Sequence, residues 1–223
     1  MTAEPQPIRR YTVEEYLQLE ANSPEEKYEY NDGIVVPMRE VHAKGREGEV
    51  LAMAGGSHHH VLIGSNLVGE LRNRLKGTGC RAYTSDLRIR IPRKTLYTYP
   101  DGTIVCGEHQ FDQHSSAGAT LTNPRVIIEV LSPSTERFDR GDKFALYREI
   151  PSLAEYVLVS QLHPRVETFF RRDDGGWSFR SFDGLKAVLT LQAVKIGLPL
   201  TEIFSGVEFP PESAVPAIDP PAQ

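Results

Sequence analysis

Apolar residues recur along this chain with several spacings, and each spacing predicts an element. Ile63, Leu67, Leu71 and Leu75 fall every four residues, which is the stripe of an amphipathic helix. Ser57 is placed to cap that helix, and Gly77 and Gly79 to stop it. A shorter helix is predicted over residues 12–20. Thr12 and Glu15 form a capping box, Tyr11 and Tyr16 suit a hydrophobic staple, and Asn22, Ser23 and Pro24 break it. A third helix over 139–150 ends before Pro151, and a short one spans 200–204. Tyr28 to Met38 reads as a hairpin turned by Asn31-Asp32-Gly33.

Residues 81–91 alternate. Tyr83, Ser85, Leu87, Ile89 and Ile91 share one face, and Thr84, Asp86, Arg88 and Arg90 the other, which predicts one half-buried strand with a basic outer face. Val126 to Leu131 is apolar except for Glu129, as in a strand covered on both sides. Further strands are expected over 49–53, 98–106 (a strand pair or one bent strand, kinked near Pro100 and Gly102), 156–159, 166–170, 177–182 and 187–191. Residues 39–47 and 107–121 read as polar loops. Helices interleaved with strands predict an α/β fold, a mixed β-sheet flanked by helices.

A chain of 223 residues suits one domain. We assign residues 1–205 to it and expect the tail 206–223, with five prolines after Gly206, to be disordered. No apolar run is long enough to span a bilayer, and Met1 to Arg10 lacks the apolar stretch of a secretory signal. Cys80 and Cys106 fit no zinc spacing. They read as reduced thiols of a cytoplasmic protein, with a disulfide as the alternative.

The net charge of −5 argues against a nucleic-acid binder, but its distribution does not. Residues 12–32 hold seven acids against Lys27, and residues 72–94 hold eight bases against Asp86. A locally basic face, with Arg88 and Arg90 in it, attracts phosphate even on an acidic protein. A solvated face with no partner is the equal alternative.

Three residues stand out chemically. Glu129 interrupts an apolar strand, where an ionised carboxylate needs a cationic partner, unless it sits at the strand end, half in water. Lys143 shares the inward stripe of its helix with Tyr147 and Ile150, unless its stem merely snorkels to the edge. Asp101 sits at a strand bend between Pro100 and Gly102, aimed at a cleft, although Pro-Asp-Gly also makes plain turns. Together they suit phosphodiester hydrolysis. Two carboxylates hold a divalent ion, the ion activates water, and a lysine orients that water and offsets charge.

The chain resembles the Uma-two family of endonucleases, within the PD-(D/E)XK restriction-endonuclease-like superfamily. The resemblance rests on Lys27-Tyr28-Glu29-Tyr30 with Asp32-Gly33, Gly79-Cys80-Arg81 through Ser85-Asp86-Leu87-Arg88, Tyr99-Pro100-Asp101, the run Ile128 to Thr135, and Asp139 to Tyr147 with Glu155-Tyr156. It implies a restriction-endonuclease-like sheet, Mg2+ or Mn2+ on Asp101 and Glu129, an accessory carboxylate at Glu29, DNA as substrate and a homodimer. The position two after Glu129 is Leu131 where the superfamily has lysine, so Lys143 is the expected replacement. Glu47 and Glu49 rival Glu29.

Other candidates are weaker. Three adjacent histidines, His58-His59-His60, point in different directions and rarely share one ion, although His60 lies where it could approach substrate. Gly55-Gly56-Ser57 lacks a phosphate-loop spacing, Ser134 and Thr135 read as turn or cap residues, and Tyr147 reads as core. The function expected is a metal-dependent nuclease. The alternative is an inactive nucleic-acid- or protein-binding module on the same fold.

Overall fold

The computed structural model describes residues 9–23, 25–38, 43–44, 50–51, 57–91, 96–113, 115, 119–133 and 135–209. The tail from residue 210, Glu47, Glu49 and Ser134 lie outside the described residues. Helix α1 (Val13–Asn22) begins with the expected capping box. The Thr12 hydroxyl accepts from the Glu15 N–H, and the Glu15 carboxylate accepts from the Thr12 N–H. Strands β1 (Tyr28–Asn31) and β2 (Ile34–Pro37) follow. Their two-residue turn places Asp32 and Gly33 at φ 46° and 91°, the left-handed region that such hairpin turns demand.

Two short strands, β3 (Ala43–Lys44) and β4 (Val50–Leu51), pair with each other, the first inside a stretch expected to be loop. Helix α2 (His58–Arg74) is capped by Ser57 and buries Ile63, Leu67 and Leu71. Beyond its last turn come Leu75, also buried, and Gly77 and Gly79, both at φ 78°.

The alternating stretch after α2 is two strands. β5 (Cys80–Thr84) and β6 (Arg88–Ile91) belong to different sheets, separated by a turn closed by the Leu87 N–H to the Thr84 carbonyl. Lys27 Nζ ties that turn down at the Ser85 carbonyl and the Asp86 carboxylate. The turn resets the alternation, so the expected basic outer face does not form. The bend expected near Pro100 also separates two sheets, with β7 (Leu96–Thr98) before it and β8 (Gly102–Cys106) after it.

The remaining strands are β9 (Thr120–Leu121), β10 (Val126–Leu131), β11 (Glu155–Ser160), β12 (Arg165–Arg171), β13 (Trp177–Asp183), β14 (Val188–Leu191) and β15 (Ile196–Pro199). The last was not expected. Between β10 and β11 the chain runs through α3 (Glu136–Phe138), a π-helical turn over Asp139–Lys143, and α4 (Phe144–Tyr147). Helix α5 (Leu200–Ile203) follows β15.

The main sheet has the order β13-β12-β11-β10-β8-β5, antiparallel except for the β10–β11 pair. A second sheet runs β2-β1-β7-β6-β9. Strand β10 is buried at all six residues. One core includes Ile63, Leu67 and Leu71 of α2 with Ile128 and Val130, and another includes Ile127 and Leu131 with Tyr147 and Tyr156.

The cysteines are joined. Cys80 and Cys106 face each other in register between β5 and β8, so the reduced-thiol expectation gives way to a cross-strand disulfide. Sequence spacing carries no information about strand register, which is what brings the two sulfurs together.

Candidate active site

Two sheets, one helix end and one π turn converge on a cavity of about 610 Å3. Glu29, Asp101, Glu129, Asp139, Lys143 and His60 all line it. Glu129 lies in the middle of β10 and is 4% exposed, so it is not a strand-end carboxylate in water. Its Oε1 is 2.9 Å from Lys143 Nζ and accepts from the Tyr147 hydroxyl at 2.7 Å.

Lys143 is almost as buried, and three carboxylates surround its ammonium group: Glu129, Asp139 at 3.5 Å and Glu29 at 4.0 Å. The lysine therefore does not snorkel. Glu29 reaches the site from β1, where the Thr98 hydroxyl donates to it.

Asp101 sits at the bend between β7 and β8. Its Oδ2 accepts from the Val130 N–H at 2.7 Å, and its Oδ1 meets His60 Nε2 at 2.9 Å. Asp101 is thus fastened to the backbone of the residue after Glu129, and both carboxylates open onto the same cavity. His60 comes from the first turn of α2, which the Ser57 cap fixes. The Ser57 hydroxyl accepts from the His60 N–H and donates to Gln161 Oε1, while Gln161 Nε2 donates to the Leu131 carbonyl. Gln161 thereby clamps the end of β10 to the start of α2.

The π turn sets the lysine's direction. In an α-helix, residues four apart drift the same way round the axis at each step, because a turn takes 3.6 residues. The wider π turn over Asp139–Lys143 offsets that drift and keeps Asp139, Lys143 and Tyr147 turned towards β10. Tyr156 holds the turn by donating to the Asp139 carbonyl at 3.0 Å.

The electrostatics follow from this crowding. Burial, reinforced by Asp101 and Asp139, pushes the Glu129 carboxyl up to about 8 despite the opposing pull of Lys143. Burial likewise raises Asp139, again against Lys143. For Lys143, burial favours the neutral amine, but Glu129, Tyr147, Glu29 and Asp139 outweigh it and hold the ammonium charged. Burial lowers His60, yet its hydrogen bond to Asp101 and the nearby carboxylates leave it raised overall. Four carboxylates, those of Glu29, Asp101, Glu129 and Asp139, line this cavity with Lys143, and burial is the main reason that Glu129 holds its proton more tightly than a carboxyl in water.

Several residues here were not predicted. Asp139, Tyr147 and Gln161 each touch the centre, although only the Asp139/Lys143/Tyr147 spacing of four and four carried any signal. Tyr147 is core, as expected, and also a partner of Glu129.

The two arginines expected to contact substrate are engaged elsewhere. Arg88 is 1% exposed. Its guanidinium donates to Glu20, Thr120, Ser115 and Tyr16, with Arg88 Nη1 to Glu20 Oε2 at 2.9 Å. Arg90 pairs with Asp112 at 2.9 Å, beside the Tyr97 ring. Arg88 is buried because the turn at 85–87 directs β6 into the second sheet, where Glu20 of α1 meets its guanidinium.

Among the described residues, no group of three or more His, Cys, Asp or Glu side chains is arranged to hold a metal. Mg2+ does not require one, since it commonly takes one or two carboxylates and completes its shell with water and substrate phosphate. Asp101 and Glu129, in a centre with unbalanced negative charge, fit that donor set.

A family model, Uma2, described as "Putative restriction endonuclease", matches residues 39–201. The chain belongs to the Uma2 family. It is 34% identical over 203 residues to the uncharacterized protein slr1290 of Synechocystis sp., covering 91% of this chain and 96% of that one. It is also 34% identical over 150 residues to the uncharacterized protein sll1609 of the same organism, covering 67% and 84%. Among solved structures it is similar to one from Anabaena variabilis described as a "putative nuclease belonging to DUF820". The TM-score is 0.63 at 19% identity, over 87% of this chain and 98% of that chain, so the two share a fold. The Uma2 assignment accords with the mixed α/β architecture, and no described helix is long and apolar enough to cross a membrane.

Proposed function

We propose that this Uma2 protein is a divalent-metal-dependent nuclease that hydrolyses phosphodiester bonds in DNA. The observation that carries the reading is Lys143, buried against Glu129 in a cavity that Asp101 also lines, with more carboxylate than one lysine can balance. A purely structural ion pair gains nothing from extra buried carboxylates, whereas a divalent cation and a phosphate together use all of them.

In this reading Asp101 and Glu129 hold Mg2+ or Mn2+, which when bound polarises a phosphoryl oxygen and lowers the pKa of water. The chain's own residues do the rest. Val130 N–H and His60 fix the Asp101 carboxylate. The Tyr147 hydroxyl and Lys143 fix that of Glu129. Lys143, held charged, donates to the attacking water and offsets charge developing on the phosphoryl oxygens. Lysine delivered from the helix serves where Leu131 occupies the superfamily's lysine position, because its side chain reaches Glu129 from the facing layer. Glu29 and Asp139 keep that ammonium in place.

The test combines binding with turnover. Mn2+ or Mg2+ should raise the melting temperature of the wild type and leave Asp101→Asn unshifted. Supercoiled DNA should be nicked by the wild type in Mn2+ and spared by Asp101→Asn and by Lys143→Met. A wild-type melt that ignores both ions, with no cleavage of supercoiled, linear or single-stranded DNA, would establish the binding-module reading instead.

A further inference from the structure

The active-site cavity does not end at Asp101. A smaller one of about 160 Å3 adjoins it, sharing His60, Val61, Ser85 and Asp101 and continuing to Thr84. From Thr84 a third, of about 650 Å3, runs along β5 to the C-terminal end of α2. The three lie end to end, joined in their lining by Asp101 and then by Thr84, a run of cavities called the groove. Strand β5 is the outermost strand of the main sheet, so its outer edge pairs with no other described strand.

The chemistry changes along this groove. At the near end are the carboxylates, and at the far end are Arg72, Lys76 and Arg81, with no acid among the residues lining that stretch. All three cations are exposed, and none is in an ion pair with a described carboxylate. Their nearest contrast is Arg74 on the same helix, which is committed to Glu70 and Glu202. On a chain of net charge −5, three exposed cations without a described carboxylate partner, Lys76 donating only to the Asn73 amide oxygen, form a local field of opposite sign beside an acidic centre.

The spacing suits a polymer. Arg81 pairs with Val105, four residues along β8 from the level of Asp101, or about 13 Å at strand rise. Arg72 lies twelve residues along α2 from His60, about 18 Å at helical rise, and Lys76 follows just past the end of that helix. At the 3.4 Å per step of one strand of a duplex, these two distances are roughly four and five nucleotides.

We propose that this groove is a second binding site, a sequence-independent track in which Arg72, Lys76 and Arg81 hold backbone phosphates of the nucleic acid whose scissile bond lies at Asp101 and Glu129. The proposal rests on the nuclease reading for the position of the scissile bond. It adds residues that bind without touching the reacting atoms. It also relocates the basic surface sought in the sequence, from Arg88 and Arg90 on β6 to the edge of β5 and the end of α2.

The experiment is fluorescence anisotropy with a 30-base-pair duplex, in EDTA and again in Ca2+, across 50–300 mM salt. Wild type is compared with Arg72→Ala/Lys76→Ala/Arg81→Ala. A charge-matched control, Arg172→Ala/Arg180→Ala/Lys186→Ala, removes three exposed cations outside the groove. Each phosphate contact contributes about 0.9 to the slope of log affinity against log salt. The groove variant should therefore lose close to 2.7 of slope, and about 500-fold in affinity at 0.1 M salt if all three contacts are complete.

The control should keep the wild-type slope, and all three proteins should melt alike. In Mn2+, the groove variant should lose more cleavage efficiency on the long duplex than on a six-base-pair substrate, which is too short to engage all three cations. Equal slopes for wild type and groove variant overturn the track, as does a wild type that binds no duplex in either buffer. Failure of cleavage by wild type, with the slope difference intact, overturns the nuclease reading and leaves the track standing.

Discussion

Replacing Glu129 by Gln should make the metal-free protein more stable at alkaline pH. The carboxyl is raised from 4.5 to about 8, because burial and the nearby Asp101 and Asp139 outweigh Lys143. A carboxyl raised in the fold keeps its proton longer folded than unfolded. Its contribution is therefore fully present below pH 4.5 and is lost as pH rises through about 8. Over that window the loss amounts to about 5 kcal/mol, an upper figure since each tenfold change in proton activity counts for about 1.36 kcal/mol at most.

The glutamine side chain of Glu129→Gln would keep an oxygen for the Tyr147 hydroxyl and carry no charge, so the variant lacks this component. Asp139 is raised in the same direction but is present in both proteins and drops out of the comparison. In the wild type, against the effect of burial, Lys143 is held above its usual value first by Glu129 and then by Tyr147, Glu29 and Asp139, and the last three remain beside it in the variant. The assay is urea unfolding in EDTA at pH 5, 6, 7, 8 and 9. Near pH 5 the two proteins should differ little, and by pH 9 the variant should lead by several kcal/mol. Saturating Mg2+ should close the gap from the wild-type side, since only that protein retains both carboxylates. Wild-type and variant curves that stay parallel from pH 5 to 9 would refute the reasoning.

Three further outcomes follow from the same contacts. Lys143→Met strands a buried carboxylate and should cost about 3–5 kcal/mol in unfolding assays above pH 8, while the double variant with Glu129→Gln should recover most of it. Arg88→Ala removes a buried partner of Glu20 and should likewise cost about 3–5 kcal/mol, yet leave the salt slope of DNA binding unchanged; a shallower slope would return Arg88 to the substrate face. Cys80→Ser/Cys106→Ser opens a cross-link between residues 26 apart and should lower stability by about 3.5 kcal/mol on the chain-entropy estimate, matched by dithiothreitol treatment of the wild type. Two free thiols titrated in the native protein under oxidising conditions would contradict that cross-link.

What the sequence determined by itself was local. The Thr12–Glu15 box, the Asp32-Gly33 turn, the stripe from Ile63 to Leu75 and the apolar run around Glu129 each encode their element within a few residues. Such signals are read directly, because caps, turn dihedrals and side-chain periodicity act over one or two turns of chain. Glu129 and Lys143 stood out locally too, as charges in places where an isolated charge is expensive, and Asp101 as a carboxylate at a strand bend.

Tertiary structure decided which of these charges meet. Lys143 finds Glu129 because a π turn, invisible in composition, aims the helix at β10. Arg88 looked like a strand's outer face until the turn at 85–87 moved its strand into another sheet, where Glu20 received it. Cys80 and Cys106 needed a register, and Arg72, Lys76 and Arg81 needed a helix and an edge strand laid side by side. Burial, partner and electrostatic field depend on elements distant in the chain, and no local pattern specifies them.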